Sequence, residues 1–212
     1  MTPKSDPVLL EEKWNAYSHA FGIILAIIGS AVLFQKDLTG TPYLYGSILV
    51  YCLSLVHLFT ASTAYHSVQN PKLKKKLRTW DHISIYYLIA GTYTPVCLTV
   101  LLSSKGWLLF YLVWGTALFG TILKLFFTGK FEVFSLVLYG VMGWIIVIDL
   151  PYLLENISGT GLLYLSLGGA FYTLGILFYA IKKIPFNHLI WHFFVLGGAI
   201  SHWVMIFKVI LD

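Results

Sequence analysis

Two histidines, His188 and His192, stand four residues apart in the apolar stretch "IPFNHLIWHFF". On a helix, positions i and i+4 share a face, so both imidazoles can approach one point. A third imidazole at that point would complete a common catalytic-zinc ligand set, three neutral nitrogens with a water in the fourth position. Zinc draws the pKa of that water down towards about 7, and a neighbouring carboxylate can hold the water and take its proton. The pair alone decides nothing. No Glu follows His188, so this is not the HExxH of metalloproteases, and a base must come from elsewhere in the chain. The alternative is a pair of hydrogen-bonded histidines that packs a helix end.

Other segments supply the missing types. Ser62 and His66 are also spaced i, i+4, and Asp81 follows. Glu12, Asn15 and His19 recur at i, i+3, i+7, one stripe of a helix. If these faces turn inwards, one cavity receives three imidazoles and a carboxylate, with Asp81 the natural base and His19 an outer partner rather than a ligand. A hydrogen-bonded polar cluster with Glu12, Asn15 and His19 as caps remains the competing reading. His57, His82 and His202 read as structural. His57 falls on the opposite face to His66, His82 is about 100° round from Asp81, and His202 lies about 15 Å beyond His192, too far to be a ligand but able to line a cavity.

The elements that must position these residues are membrane helices. The 212 residues are 58% hydrophobic and 11% charged, with mean hydropathy +0.79. Soluble domains carry roughly 25% charged residues, and a β-barrel would show alternating strands of about ten residues instead of long apolar runs. The chain is read as an all-α integral membrane protein, one domain over residues 1–212. Seven spans are expected at about 15–34, 43–66, 81–102, 107–127, 134–150, 162–181 and 188–211, with Pro95 kinking the third. The opening residues lack the apolar core of a cleavable signal peptide. Cys52 and Cys97 lie in apolar runs and read as packing residues. Gly168, Gly169, Gly175, Gly197, Gly198 and Ala199 are expected to permit close helix packing.

Charge sets the expected orientation. Of the 14 Lys and Arg residues, eleven fall on one side of a seven-span topology: Lys4, Lys13, Lys72, Lys74, Lys75, Lys76, Arg78, Lys124, Lys130, Lys182 and Lys183. Lys124 is included as a snorkelling side chain at the end of the fourth span. Only Lys36, Lys105 and Lys208 fall on the other. The positive-inside rule then places the N-terminus in the cytoplasm and the C-terminus outside. The basic loop 72–78 is expected to meet anionic lipid headgroups rather than nucleic acid. In this topology His66, Asp81, His188, His192 and the Glu12–Asn15–His19 stripe all lie at the cytoplasmic face. Ionisable groups there are a functional-site hypothesis by default.

These three motifs, in this order, resemble those of the hemolysin III branch of the progestin-and-adipoQ receptor family. Glu12, Asn15 and His19 match its first motif, Ser62, His66 and Asp81 its second, and His188 and His192 its third; "AGTYTP" at Ala90–Pro95 also looks typical. The resemblance spans nearly the whole chain, and the short loops resemble compact bacterial members. It implies a seven-helix fold in a bacterial plasma membrane and a zinc ion near the cytoplasmic face. The implied ligands are His66, His188 and His192, with Asp81 holding the water and Ser62 beside it. It also implies kinship with membrane-embedded, ceramidase-like hydrolases and a role in membrane lipid control. The expected function is therefore zinc-dependent hydrolysis of a membrane-lipid amide or ester. The alternatives are a non-enzymatic fluidity or signalling protein with structural zinc, or a pore-forming hemolysin. The last has least support, because no span shows the continuous polar face that a water-filled pore needs.

Overall fold

The computed structural model describes residues 7–210. Lys4 and Leu211, the expected end of the seventh span, lie outside them. Among the described residues, eight α-helices follow one another: α1 (Pro7–Leu33), α2 (Leu44–Ser67), α3 (Pro71–Leu98), α4 (Gly106–Phe127), α5 (Glu132–Trp144), α6 (Leu150–Asn156), α7 (Gly159–Ala180) and α8 (Asn187–Met205). A 3-10 segment, Ile145–Asp149, joins α5 to α6, and a π-helical segment, Ile206–Ile210, continues α8. No strand occurs among the described residues.

Among the described residues, six helical stretches are long and apolar enough to cross a membrane: Val8–Leu33, Leu44–Ser67, Gly106–Phe127, Glu132–Asn156, Gly159–Ala180 and Asn187–Ile210. Their outward faces carry Phe21, Ile24, Leu118, Phe119, Val137 and Leu177, all exposed. Contiguous apolar surface of this kind is a liability in water and the ordinary outer face of a helix bundle in a bilayer.

The helix outside that set, α3, is the central one. It packs chiefly against α2 and α4. From Asp81 onwards it buries Asp81, His82, Ser84, Tyr86, Leu88 and all of Ala90–Leu98. Small residues allow the close approach: a Cβ on Gly91 would overlap Ser54 of α2, and one on Gly120 of α4 would overlap the ring of Tyr86.

The start of α3 differs from the sequence-based expectation. The basic run is helix rather than loop, because Asn70 caps it: its side-chain oxygen accepts from the backbone N–H groups of Lys72 at 3.0 Å and Leu73 at 3.2 Å. Pro71 opens the helix where a missing N–H costs nothing. The helix also stops at Leu98, short of residue 102. The turn beyond it is pinned by buried Asp149, which accepts from Ser104 Oγ and Lys105 N, both at 3.0 Å.

Two further expectations change. The stretch "PYLLENISGTG", left between the expected spans 134–150 and 162–181, contains most of α6. Tyr93 stands at the break before it, its hydroxyl donating to Gly143 O at 2.9 Å and accepting from Ile146 N–H at 3.0 Å. Backbone groups freed where α5 tightens are thus satisfied inside the bundle. Lys124 does not snorkel to the surface. It is 1% exposed and donates to Glu132 at 3.1 Å, while Arg78 reaches the other oxygen of the same carboxylate at 3.3 Å.

Candidate metal centre

Four helices meet at the end of the bundle that carries the basic run. His66 lies in the last turn of α2, and His188 and His192 in the first two turns of α8. Their rings form a near-equilateral triangle, each pair of centroids 4.9 Å apart. One ligating nitrogen from each lies within 4.8 Å of the other two. His66 and His192 are buried, and His188 is half-buried. The three residues could therefore hold a metal ion.

The partners of the outer nitrogens decide whether the inner ones are free to ligate. His66 Nδ1 lies 3.2 Å from Glu12 Oε2, and a carboxylate only accepts, so Nδ1 carries the hydrogen. The lone pair of a neutral ring is then on Nε2, which is buried and has no hydrogen-bond partner among the described residues. His192 follows the same logic. Its Nδ1 lies 3.1 Å from Asn15 O and 3.0 Å from Ser18 Oγ, and the Ser18 hydroxyl already donates to Asn15 O at 2.9 Å. Nδ1 is the donor again, and Nε2 is left with a lone pair. Imidazoles fixed by an acceptor on the far nitrogen are the usual surroundings of a metal-binding histidine, and an orphaned buried Nε2 is costly without a partner. The donor set fits a divalent metal that favours nitrogen ligands.

The helix α1 holds this arrangement from outside. Glu12 also accepts from Lys74 of α3, whose ammonium reaches the carbonyls of Tyr65 in α2 and Val68 just beyond it, both at 3.4 Å. Glu11 accepts from the backbone N–H of His188 at 3.3 Å. The residue before α8, Phe186, is left-handed (φ 55°) and supplies no cap, so a carboxylate from another helix meets an otherwise unpaired first-turn N–H. In the α7–α8 connector, Lys182 Nζ lies 3.9 Å over the Tyr179 ring. Partial burial, and next the Arg78 charge, hold its pKa below the usual lysine value.

The other expected site residues fall around the triangle in distinct ways. Asn15 acts through its backbone carbonyl, not its side chain. His19 makes no hydrogen bond to the triad; it stacks on His192 with centroids 3.7 Å apart and planes 11° from parallel. Asp81 and Ser62 are buried side by side on the wall of a cavity that His19, His188 and His192 also line. Asp81 is not among the clustered ligand atoms. His57 is taken up as an acceptor for Trp80 Nε1–H at 2.6 Å, away from the site. Glu11, Ser18 and Glu132 were not singled out by sequence reasoning, and Lys74, expected only to meet lipid headgroups, turns to Glu12 instead. Glu11 alone left a signal, as the neighbour of Glu12 just before the stripe.

The cavity holds about 120 Å³ and runs from the triad into the bundle between α3, α5, α7 and α8. Its wall is mainly apolar, with Ile85, Leu88, Leu136 and Val195. Gly140, Gly143 and Gly169, where α5 faces α7, have open space at the Cβ position.

The chain was compared with known proteins. The profile of the family described as "Haemolysin-III related" matches residues 8–203. "Hemolysin-3" of Bacillus cereus is 41% identical over 190 residues, covering 89% of this chain and 87% of that protein. A "Hemolysin-3 homolog" of Bacillus subtilis (strain 168) is 41% identical over 191 residues, covering 89% of each. The "Monocyte to macrophage differentiation factor" of Homo sapiens is 34% identical over 215 residues, covering 95% of this chain and 85% of that protein.

Proposed function

The chain belongs to the haemolysin-III related family of membrane proteins, and on that premise we propose that it is a zinc-dependent hydrolase acting on an amide or ester of a membrane lipid. Its proposed setting is a bacterial plasma membrane, crossed seven times with the N-terminus in the cytoplasm. The crossing beyond the six apolar stretches is α3, too charged at its start to read as a span by hydropathy but largely buried from Asp81 onwards. In this orientation the triad lies at headgroup depth on the cytoplasmic side. Lys72, Lys75 and Lys76 are exposed on the first turns of α3 to meet anionic headgroups.

The observation that carries the reading is the triangle of His66, His188 and His192 beside a largely apolar cavity that His188 and His192 line, with a buried carboxylate on its wall. Zinc in that site would supply Lewis acidity and an acidified water. The chain's own residues supply the rest. Glu12, Asn15 and Ser18 fix the imidazole tautomers. Asp81 accepts the proton, oriented by the Ser62 hydroxyl. The apolar wall takes the lipid chain and excludes water from the linkage. Asp81→Asn in purified protein tests this directly: zinc content should remain while turnover of a lipid panel falls at least a hundredfold. Absence of turnover of any lipid class by fully zinc-loaded wild type would overturn the catalytic reading.

One observation favours a second reading, in which zinc is structural. The triad ties the end of α2 to the start of α8, and α1 clasps both through Glu11 and Glu12. A protein that unfolds when His188 is replaced, and turns over no lipid, would fit it. A stable, metal-free His188→Ala protein would not. The relatives' "hemolysin" names raise a pore, but the cavity is apolar along most of its length, the opposite of an aqueous path.

A further inference from the structure

The far end of the cavity contains polar groups that the metal site does not use. His202 is 91% buried, ten residues along α8 from His192 and therefore about 15 Å deeper. Its Nε2 lies 3.3 Å from Leu165 O. A carbonyl only accepts, so Nε2 carries the hydrogen and Nδ1 presents a bare lone pair. That Nδ1 is buried and has no partner among the described residues. The Tyr172 ring stands 5.6 Å from the His202 ring, and its buried hydroxyl is likewise unpartnered. His202 and Tyr172 both line the cavity.

Their side-by-side placement is built into the packing of α7 on α8. A Cβ on Gly168 of α7 would overlap the His202 ring, and one on Gly198 of α8 would come within 2.7 Å of Tyr172 Cζ. Each helix thus gives up a side chain to admit the polar residue of the other. Apolar residues would close the same space without leaving polar atoms unpaired, each at a cost of about 1–3 kcal/mol.

We propose that His202 and Tyr172 form a hydroxyl-binding subsite at the deep end of the cavity. The His202 Nδ1 lone pair accepts from the bound hydroxyl, and the Tyr172 hydroxyl donates to its oxygen. A water can be this occupant, because it needs two to four polar partners and these two are present. A mid-chain hydroxyl on a lipid whose polar linkage lies at the triad has the same chemistry. The lipid source rests on the reading that the cavity takes a lipid chain; the subsite does not rest on cleavage.

Two arms of one experiment separate the sources. Ricinoleate and oleate, which differ by one mid-chain hydroxyl, compete with a fluorescent fatty acid for purified full-length protein in nanodiscs. A wild-type preference for ricinoleate of about three- to tenfold, abolished in Tyr172→Phe, assigns the subsite to a lipid hydroxyl. If Tyr172→Phe does not fold, His202→Leu replaces it. In the second arm, an experimental map that resolves waters is obtained for the wild type without added lipid. Equal or undetectable binding of the two acids, together with density within hydrogen-bond distance of His202 Nδ1, assigns the subsite to water. Equal or undetectable binding with no such density overturns the proposal. Binding of neither acid also counts against the lipid-cavity reading, whereas equal binding of both leaves that reading standing.

Discussion

Glu12 and His66, 54 residues apart in sequence, meet at 3.2 Å, and this contact alone sets which nitrogen of His66 faces the other two imidazoles. A ligand histidine without its outer acceptor loses both orientation and basicity. Glu12→Ala is therefore expected to weaken metal binding about 10–100-fold while leaving the fold intact. Chelator competition on purified protein measures it. Wild-type affinity in the variant would show that His66 needs no such support.

His192→Ala removes a ligand outright. Metal analysis of purified protein should fall from one equivalent in the wild type to a trace, with helical content by circular dichroism unchanged. The same loss is expected for His66→Ala. His57→Ala should keep its metal, since that ring is occupied with Trp80.

Glu132 compensates a buried cation. Breaking a fully buried ion pair costs about 3–5 kcal/mol, and the partial exposure of Glu132 lowers the expectation for Glu132→Ala to about 2 kcal/mol. Thermal unfolding in detergent should show the loss. Adding Lys124→Met, which removes the stranded charge, should restore most of it. A double variant no more stable than the single one would refute this account.

Tyr93→Phe deletes one hydroxyl that serves two backbone groups, Gly143 O and Ile146 N–H. Leaving them unpaired should destabilise the protein by about 1–3 kcal/mol. Hydrogen exchange should rise first at Ile146, before the rest of the bundle opens.

Gly168→Ala should be poorly tolerated, because the new methyl overlaps the His202 ring. Overpacking of this kind typically costs about 1–3 kcal/mol. Gly140→Ala, with open space at its Cβ position, is the control and should leave the melting temperature unchanged.

The sequence made the histidine site legible for a definite reason. The i, i+4 spacing of His188 and His192 survives folding because it is a property of one helix, and the charge pattern brought His66 and Asp81 to the same end of the bundle. The start of α3 was less legible, since "KLKKKLR" looks like a solvated loop; the Asn70–Pro71 pair was the available sign of a helix start. The α1 stripe was legible, but the contacts that it makes were not. Whether Asn15 acts through its side chain or its carbonyl, and whether Ser18 reaches His192, depends on how α1 is rotated against α8, a contact spanning 174 to 177 residues. The fate of Lys124 likewise rests on Glu132 of another helix.

That long sequence separation has a consequence for biogenesis. The chain leaves the ribosome N-terminus first, so α1 and α2 are in the membrane long before α8 has been made. Until then His66 is a single imidazole held by Glu12, and a lone imidazole retains a divalent ion only weakly. The triangle closes when the last helix docks and Glu11 meets His188. Any ion that the triad binds can thus be captured only as the final event of assembly, and a chain truncated before α8 would leave the ribosome without a complete triad.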